Sequence, residues 1–115
     1  MNNFKNIDYN QRKKESDAIF SRYPKSIPII IDCKYDDVKK LKKHKYIIPN
    51  NLTFGHFFEI IRKKLDINKE QALFFFTEDN MVLSPGEQIL NIYNKKKSSD
   101  NFLYVIYSLE NVFGN

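Results

Sequence analysis

Lys45-Tyr46-Ile47-Ile48-Pro49 predicts a short strand at the edge of a β-sheet. Three strongly β-forming residues lie between a lysine and a proline, and the proline cannot donate a hydrogen bond to a neighbouring strand. Lysine and proline protect an exposed sheet edge, yet such an edge also accepts an extended peptide as an added strand. We therefore treat this strand as a candidate docking edge for an acidic peptide. A protected edge that binds nothing is the alternative.

The chain has the length and composition of one globular domain. It contains 115 residues, of which 42% are hydrophobic, and a chain of this length buries about two-thirds of its unfolded surface. No apolar run approaches the roughly 18 residues that cross a bilayer, and residues 1–8 lack the apolar core of a secretory signal. An internal disulfide needs two cysteines, whereas the chain has only Cys33. A reducing intracellular compartment is therefore expected.

The net charge of +5 is concentrated in the first half of the chain. Residues 1–26 and residues 32–49 each carry six cations and three anions, whereas residues 71–115 carry three cations and five anions. Such a surface suits nucleic acid, anionic lipid or an acidic peptide. A solvated lysine face without a partner is the plain alternative.

The spacing of apolar residues and of turn-forming residues predicts an α+β order of elements. Helices are expected over residues 8–23, over residues 53–65 with Thr53 as the N-cap, and from Ser84-Pro85 onward. Strands are expected over residues 27–33, 45–49, 72–77, 81–83 and 102–108, with a polar loop over 95–101. Without the first helix, this is the element order of a β-grasp domain.

The strand over residues 27–33 carries apolar side chains on both of its faces. Ile27, Ile29 and Ile31 share one face with Cys33, whereas Pro28 and Ile30 lie on the other. A sheet with water on one side would alternate apolar and polar residues. We therefore expect the N-terminal helix to cover the second face.

Seven segments of the chain together carry a family resemblance. They are RYP at residues 22–24, KYIIP at 45–49, LTFGHF at 52–57, IIRKKL at 60–65, ALFFF at 72–76, FLYV at 102–105 and ENVFG at 110–114. In this order and at this spacing they resemble the ubiquitin-like modifiers of autophagy, the relatives of microtubule-associated protein light chain three and of the GABA-A-receptor-associated protein. The resemblance implies a ubiquitin-like β-grasp core over residues 27–108. An N-terminal helical extension at residues 1–26 and a flexible conjugation tail at residues 109–115 flank that core.

The resemblance implies that the chain has no active site and no cofactor, and that it is itself conjugated. A cysteine protease would remove Asn115, and activating and conjugating enzymes would then join Gly114 to the amine of phosphatidylethanolamine. Glycine suits this role because no Cβ hinders attack at its carbonyl. The implied protein is a monomer in solution. It would be cytoplasmic, and lipid-anchored on autophagosomal or related intracellular membranes.

The resemblance also implies binding of cargo receptors and adaptors through motifs with an aromatic residue, two variable residues and an aliphatic residue. The implied aromatic pocket comprises Glu15, Ile19, Pro28, Ile30, Lys45, Ile47 and Phe102. The implied aliphatic pocket comprises Tyr46, Ile48, Pro49, Leu52, Phe57, Ile60 and Ile61. The basic rim for acidic neighbours of the motif comprises Lys43 and Lys64. Strand alternation agrees with this assignment, because it allows Pro28, Ile30, Ile47 and Phe102 to share one face.

Other functions fit the sequence poorly. Cys33 is expected to be a packed thiol, and with His44 and His56 it does not form a clustered metal site. The three glycines are isolated, so no glycine-rich phosphate loop is present in the sequence. The alternatives are a small basic nucleic-acid-binding domain and an unconjugated ubiquitin-like scaffold. No glycine precedes a pair of stacking aromatics on a strand, so a nucleic-acid partner is not expected.

Overall fold

The computed structural model describes residues 4–35 and 41–111. A 3-10 helix at Phe4–Asn6 precedes α1 at Tyr9–Arg22, β1 at Ser26–Cys33 and β2 at Lys45–Pro49. The chain continues with α2 at Phe54–Leu65, β3 at Gln71–Thr77, α3 at Ile89–Lys96 and β4 at Leu103–Asn111. These bounds confirm the predicted first helix, the predicted edge strand and the predicted second helix.

The four strands form one mixed sheet in the order β2-β1-β4-β3. β1 and β4 are parallel neighbours at the centre, and the two outer pairs are antiparallel. β2 therefore lies at one margin of the sheet, as its lysine and proline predicted. The α+β fold with a helical region before the sheet is confirmed.

The inner face of the sheet, which packs against α2 and α3, carries the main core. α2 places Phe54, Phe57, Ile61 and Leu65 on this core at intervals of three and four residues, as helix geometry requires. The ring of Phe54 meets the ring of Phe75 edge to face, with centroids 5.1 Å apart. Burial of such aromatic side chains is the dominant stabilising term of a core of this kind.

The outer face of the sheet is covered by the N-terminal segment, as the apolar residues on both faces of β1 predicted. A second buried cluster joins Phe4, Ile19, Ile30, Phe102 and Tyr104. It contains residues from the 3-10 helix, α1, β1 and β4. Buried apolar side chains therefore pack on both faces of the central strands.

The turn before α3 differs from its prediction. Residues 84–88 do not begin a helix, and α3 starts at Ile89. The backbone N–H groups of Phe54 and Gly55 donate to the carbonyl oxygens of Glu87 and Pro85, both at 2.8 Å. The turn carbonyls thus satisfy the first donors of α2, and this role holds the turn out of a helical conformation. A Cβ at residue 55 would lie 3.1 Å from the Pro85 oxygen, so this close approach favours glycine.

Three other boundaries also differ. The predicted strand over 81–83 is reduced to an isolated bridge between Phe76 and Val82. α3 continues through Lys96, into the segment predicted as a polar loop. β4 begins one residue after Phe102 and runs beyond Ser108 to Asn111, because β3 pairs with it from Val105 to Asn111. Residues 109–111 therefore belong to the sheet, and the other domain boundaries stay predictions.

Candidate functional site

β2 presents a free backbone edge. The Ile31 N–H donates to the His44 carbonyl at 2.8 Å, and the Asn50 N–H donates to the Lys25 carbonyl at 2.9 Å. Backbone groups of an antiparallel strand alternate in direction, so the even-numbered residues of β2 face β1. Lys45 and Ile47 therefore direct their N–H and C=O groups away from the sheet. No further strand of the described residues pairs with this edge.

The side chains of β2 alternate between the two faces of the sheet. Tyr46 and Ile48 are buried on the inner face, whereas Ile47 and Pro49 are exposed on the outer face. Ile47 keeps 42% of its surface accessible. A peptide added along this edge would likewise direct alternate side chains to opposite faces.

The residues predicted for the aromatic pocket lie together on the outer face. The β1–β2 register pairs Pro28 with Ile47 and Ile30 with Lys45. Phe102, the residue before β4, belongs to the same buried cluster as Ile19 and Ile30. Glu15 reaches it from α1 through an ion pair with Lys45. The shared face predicted from strand alternation is confirmed.

Phe4 occupies the space between these residues, a contact that no sequence pattern predicted. Its ring meets Phe102 edge to face with centroids 4.9 Å apart, and Lys45 Nζ lies 5.4 Å from the centre of the same ring. Phe102 has no exposed surface and Ile30 has 3%. In this conformation Phe4 therefore covers Ile30 and Phe102, and the aromatic pocket stays a prediction.

The segment that carries Phe4 is held in place by α1. Arg12 Nη1 donates to the carbonyl oxygens of Lys5 and Ile7, at 2.8 Å and 2.7 Å. The Nε of the same guanidinium donates to Asp100 Oδ2 at 2.9 Å, and the Tyr104 hydroxyl donates to that carboxylate as well. Burial, and next the hydrogen bond to Asp100, raise the pKa of Tyr104 far above its ordinary value. This hydroxyl therefore stays a donor.

The residues predicted for the aliphatic pocket divide between the core and the surface. Tyr46, Ile48, Phe57 and Ile61 are buried, whereas Ile60 is 36% exposed. Pro49 is exposed and Leu52 half-buried. Two hollows flank this set. One, of about 510 Å³, is lined by Leu52, Thr53, Gly55, His56, Glu59, Ile60 and Lys63. The other, of about 620 Å³, is lined by Arg22, Tyr23, Pro24, Lys25, Ser26, Ile47, Ile48 and Pro49.

The predicted basic rim lies at the start of β2 and the end of α2. Lys43 Nζ lies 5.1 Å from the centre of the Tyr46 ring. Lys43 and Lys64 border a hollow of about 300 Å³, which is also lined by Leu41, Lys42 and Tyr46. Lys45 is already engaged by Glu15, and burial lowers its pKa. Lys43 and Lys64, in contrast, form no ion pair with a described residue.

Cys33 is a packed thiol, as expected. It is 4% exposed, and its Sγ donates to the Tyr35 carbonyl at 2.9 Å. The described residues contain no group of three or more His, Cys, Asp or Glu side chains that could hold a metal ion.

Across residues 4–35 and 41–111, no helix combines the length and the apolar character that a membrane span requires. Gly114 and Asn115, predicted for conjugation and processing, lie outside the described residues.

Comparisons with known proteins agree on one family. Residues 11–114 match the family model described as "Autophagy protein Atg8 ubiquitin like". Autophagy-related protein 8e of Arabidopsis thaliana is 40% identical over 108 residues, covering 93% of this chain and 88% of the relative. Autophagy-related protein 8 of Schizosaccharomyces pombe is 40% identical over 111 residues, covering 94% and 89%. The crystal structure of Trypanosoma brucei ATG8 superposes with a TM-score of 0.87 at 33% identity, over 99% of this chain and 98% of that one.

Proposed function

The chain belongs to the Atg8 family of ubiquitin-like autophagy proteins, and on this premise we propose that it is a membrane-conjugated adaptor of autophagy. In this proposal Gly114 is joined to phosphatidylethanolamine by a ubiquitin-like conjugation system after a cysteine protease removes Asn115. The conjugated protein then recruits cargo receptors and adaptors through aromatic-x-x-aliphatic motifs. The chain is the substrate of the conjugation and performs none of its steps. Its expected places are the cytoplasm and autophagosomal membranes.

The free edge of β2 is the observation that carries the docking half. Lys45 and Ile47 offer outward backbone donors and acceptors, and the two faces beside them are apolar. In an extended peptide, the first and fourth side chains point to opposite faces. An aromatic anchor over the outer cluster thus places the aliphatic anchor on the inner side, near Leu52 and Ile60. The spacing of the motif fits this geometry.

Ligand binding at the outer face requires Phe4 to move. A peptide aromatic ring cannot share the space between Ile30 and Phe102 with the ring of Phe4, which fills it. The incoming ring would recover the edge-to-face contact with Phe102 that Phe4 gives up. The free chain therefore exists mainly in a closed form, and the peptide selects an open one.

Calorimetry with a short motif peptide tests the docking half. Burial of two anchors at about 2 to 3 kcal/mol each, together with the hydrogen bonds of the added strand and less the cost of association, predicts a Kd on the order of micromolar. The matched control is the same peptide with both anchors replaced by alanine, which should not bind. Equal binding of the two peptides would refute the docking half.

Reconstitution tests the conjugation half. The chain without Asn115 is incubated with the activating and conjugating enzymes, ATP and vesicles that contain phosphatidylethanolamine. The expected product has the mass of the protein plus the lipid less one water. Gly114→Ala should strongly reduce this product because its methyl group crowds the attacked carbonyl. Absence of the adduct from the unmodified sequence would favour the unconjugated scaffold.

A further inference from the structure

The N-terminal segment itself carries the spacing of a docking motif. Residues 4–7 read FKNI, which is an aromatic residue, two variable residues and an aliphatic residue. The aromatic residue of this segment, Phe4, belongs to the same buried cluster as Ile30 and Phe102, which were predicted for the aromatic pocket. The chain thus contains a copy of the ligand that we expect at β2, with its aromatic side chain already at the expected place.

Only the aromatic half of this segment is engaged within its own molecule. Phe4 is 9% exposed, whereas Ile7 is 41% exposed. Phe4–Asn6 forms a 3-10 helix, and the Ile7 N–H donates to the Phe4 carbonyl at 3.1 Å. This helix type has three residues per turn, so both side chains point to one side, whereas an extended peptide directs its first and fourth side chains to opposite faces. The segment therefore does not use the aliphatic side of the site or the outward edge of β2.

The first turn of α1 keeps the segment away from β2. The Tyr9 hydroxyl donates to the Ser99 carbonyl at 2.9 Å, and Arg12 Nε donates to Asp100 Oδ2 at 2.9 Å. Both acceptors lie in the turn before β4, and β1 separates β4 from β2 in the sheet. Ile7, two residues before Tyr9, is thereby held on the β4 side, about 10 Å from the line of β2. Full docking of the segment along β2 therefore requires another molecule.

We propose that residues 4–7 of one copy dock along β2 of a second copy of this chain, a contact that we call self-docking. The inference rests on the proposed docking function. A copy that opens frees its segment and its own aromatic pocket in the same step, so opening supplies both halves of the contact. In the second copy the Phe4 ring regains a contact with Phe102, while Ile7 becomes buried and the extended segment gains backbone hydrogen bonds to β2. Exchange of an identical segment between copies is a low-cost route to association.

Self-docking should strengthen on a membrane. In solution, two molecules must give up translational and rotational freedom, which favours the monomer predicted from the family resemblance. Chains conjugated to one membrane share a thin layer, which raises their effective concentration. The contact between copies should therefore follow conjugation.

A peptide of residues 1–8, titrated by calorimetry into the full chain with Phe4→Ala, tests the contact without competition from the acceptor's own ring. Ile7→Ala in the peptide is the decisive change, because Ile7 is exposed in the closed form and gains a contact only in full docking. Burial of an isoleucine side chain predicts that the altered peptide binds about tenfold or more weakly. Phe4→Ala in the peptide should weaken binding at least as much. Asn2→Ala, outside the motif, is the matched control and should change the affinity less than about twofold.

Full-length copies test the same contact in solution. Isotope-labelled chain with Phe4→Ala is the acceptor and unlabelled wild type is the donor, so changes in the NMR spectrum on addition of donor report contact between copies. The amide signals of Lys45 and Ile47 should shift as the donor concentration rises. An Ile7→Ala donor should produce smaller shifts at every concentration. The melting temperatures of the two donors should agree, because Ile7 is exposed.

The outcomes separate self-docking from the proposed function. Binding of an external motif peptide without binding of the peptide of residues 1–8 would overturn self-docking and leave the docking function standing. Equal affinities of the wild-type and Ile7→Ala peptides would also overturn it, since the segment would then only cover the site of its own molecule. Failure of every peptide to bind would refute both proposals.

Discussion

Replacement of Phe4 by alanine should strengthen binding of motif peptides. Burial of the Phe4 ring and its contact with Phe102 contribute about 3 to 4 kcal/mol to the closed form. The two hydrogen bonds from Arg12 add about 2 kcal/mol, and ordering the four residues of the segment costs about 4 kcal/mol. The closed form is thus favoured by about 1 to 2 kcal/mol. Removing Phe4 should lower the apparent Kd about tenfold, because the open fraction sets the apparent affinity.

Calorimetry on the wild type, Phe4→Ala and Ile7→Ala checks this reasoning. Ile7 lies on the same segment with 41% of its surface exposed, so its replacement should change the Kd less than twofold. A peptide with alanine in place of its aromatic residue should not benefit from Phe4→Ala. An unchanged affinity would show that the peptide does not use the Phe4 space. A weaker affinity would show that Phe4 contributes to the bound state.

Three further predictions concern stability. Phe57→Ala should lower the free energy of unfolding, measured by urea denaturation, by about 3 to 5 kcal/mol. Phe74→Ala, at an exposed position, should lower it by less than about 1 kcal/mol. Equal losses in the two variants would contradict the assigned core. Asp100→Asn should cost about 3 kcal/mol because its buried carboxylate holds Arg12, whereas Asp17→Asn should cost less than about 0.5 kcal/mol. Burial, and next the charge of Asp100, raise the pKa of Tyr93 to about 12. The unfolded chain, in which Tyr93 has its ordinary pKa of about 10, therefore loses this proton first. The stability contributed by the neutral phenol is present below pH of about 10 and is lost as the pH rises through about 12. Thermal melts of Tyr93→Phe should show a shallower decline across that range, and an equal decline would remove Tyr93 as a cause.

Local sequence patterns correctly predicted the helices and strands whose tertiary contacts agree with those patterns. The two apolar faces of β1 required cover on both sides of the sheet, and α1 together with the inner helices supplies it. The three-four spacing of Phe54, Phe57 and Ile61 identified α2 because one helix face alone meets the core. Lys45 and Pro49 identified the sheet margin, since each guards an unpaired edge.

The missed features depend on contacts between distant segments. Phe4 stands alone in a polar segment, without a periodic pattern to mark it, and its burial arises only where α1 and β4 meet. Ser84-Pro85 carries a local helix-start signal, but the turn carbonyls are taken by the N-terminus of α2. Tyr46 was assigned to the aliphatic pocket from resemblance. Its ring does pack in the core, whereas its contribution to the same hollow as Lys42, Lys43 and Lys64 follows from tertiary packing alone.

Amide hydrogen exchange along β2, with and without a motif peptide, tests the docking account most directly. Lys45 and Ile47 direct their N–H groups away from the sheet, whereas those of Tyr46 and Ile48 already face β1. Peptide binding should therefore slow exchange at Lys45 and Ile47 by about tenfold or more, with little change at Tyr46 and Ile48. A bound peptide that leaves the exchange of Lys45 and Ile47 unchanged would show that the margin of β2 is not the docking edge.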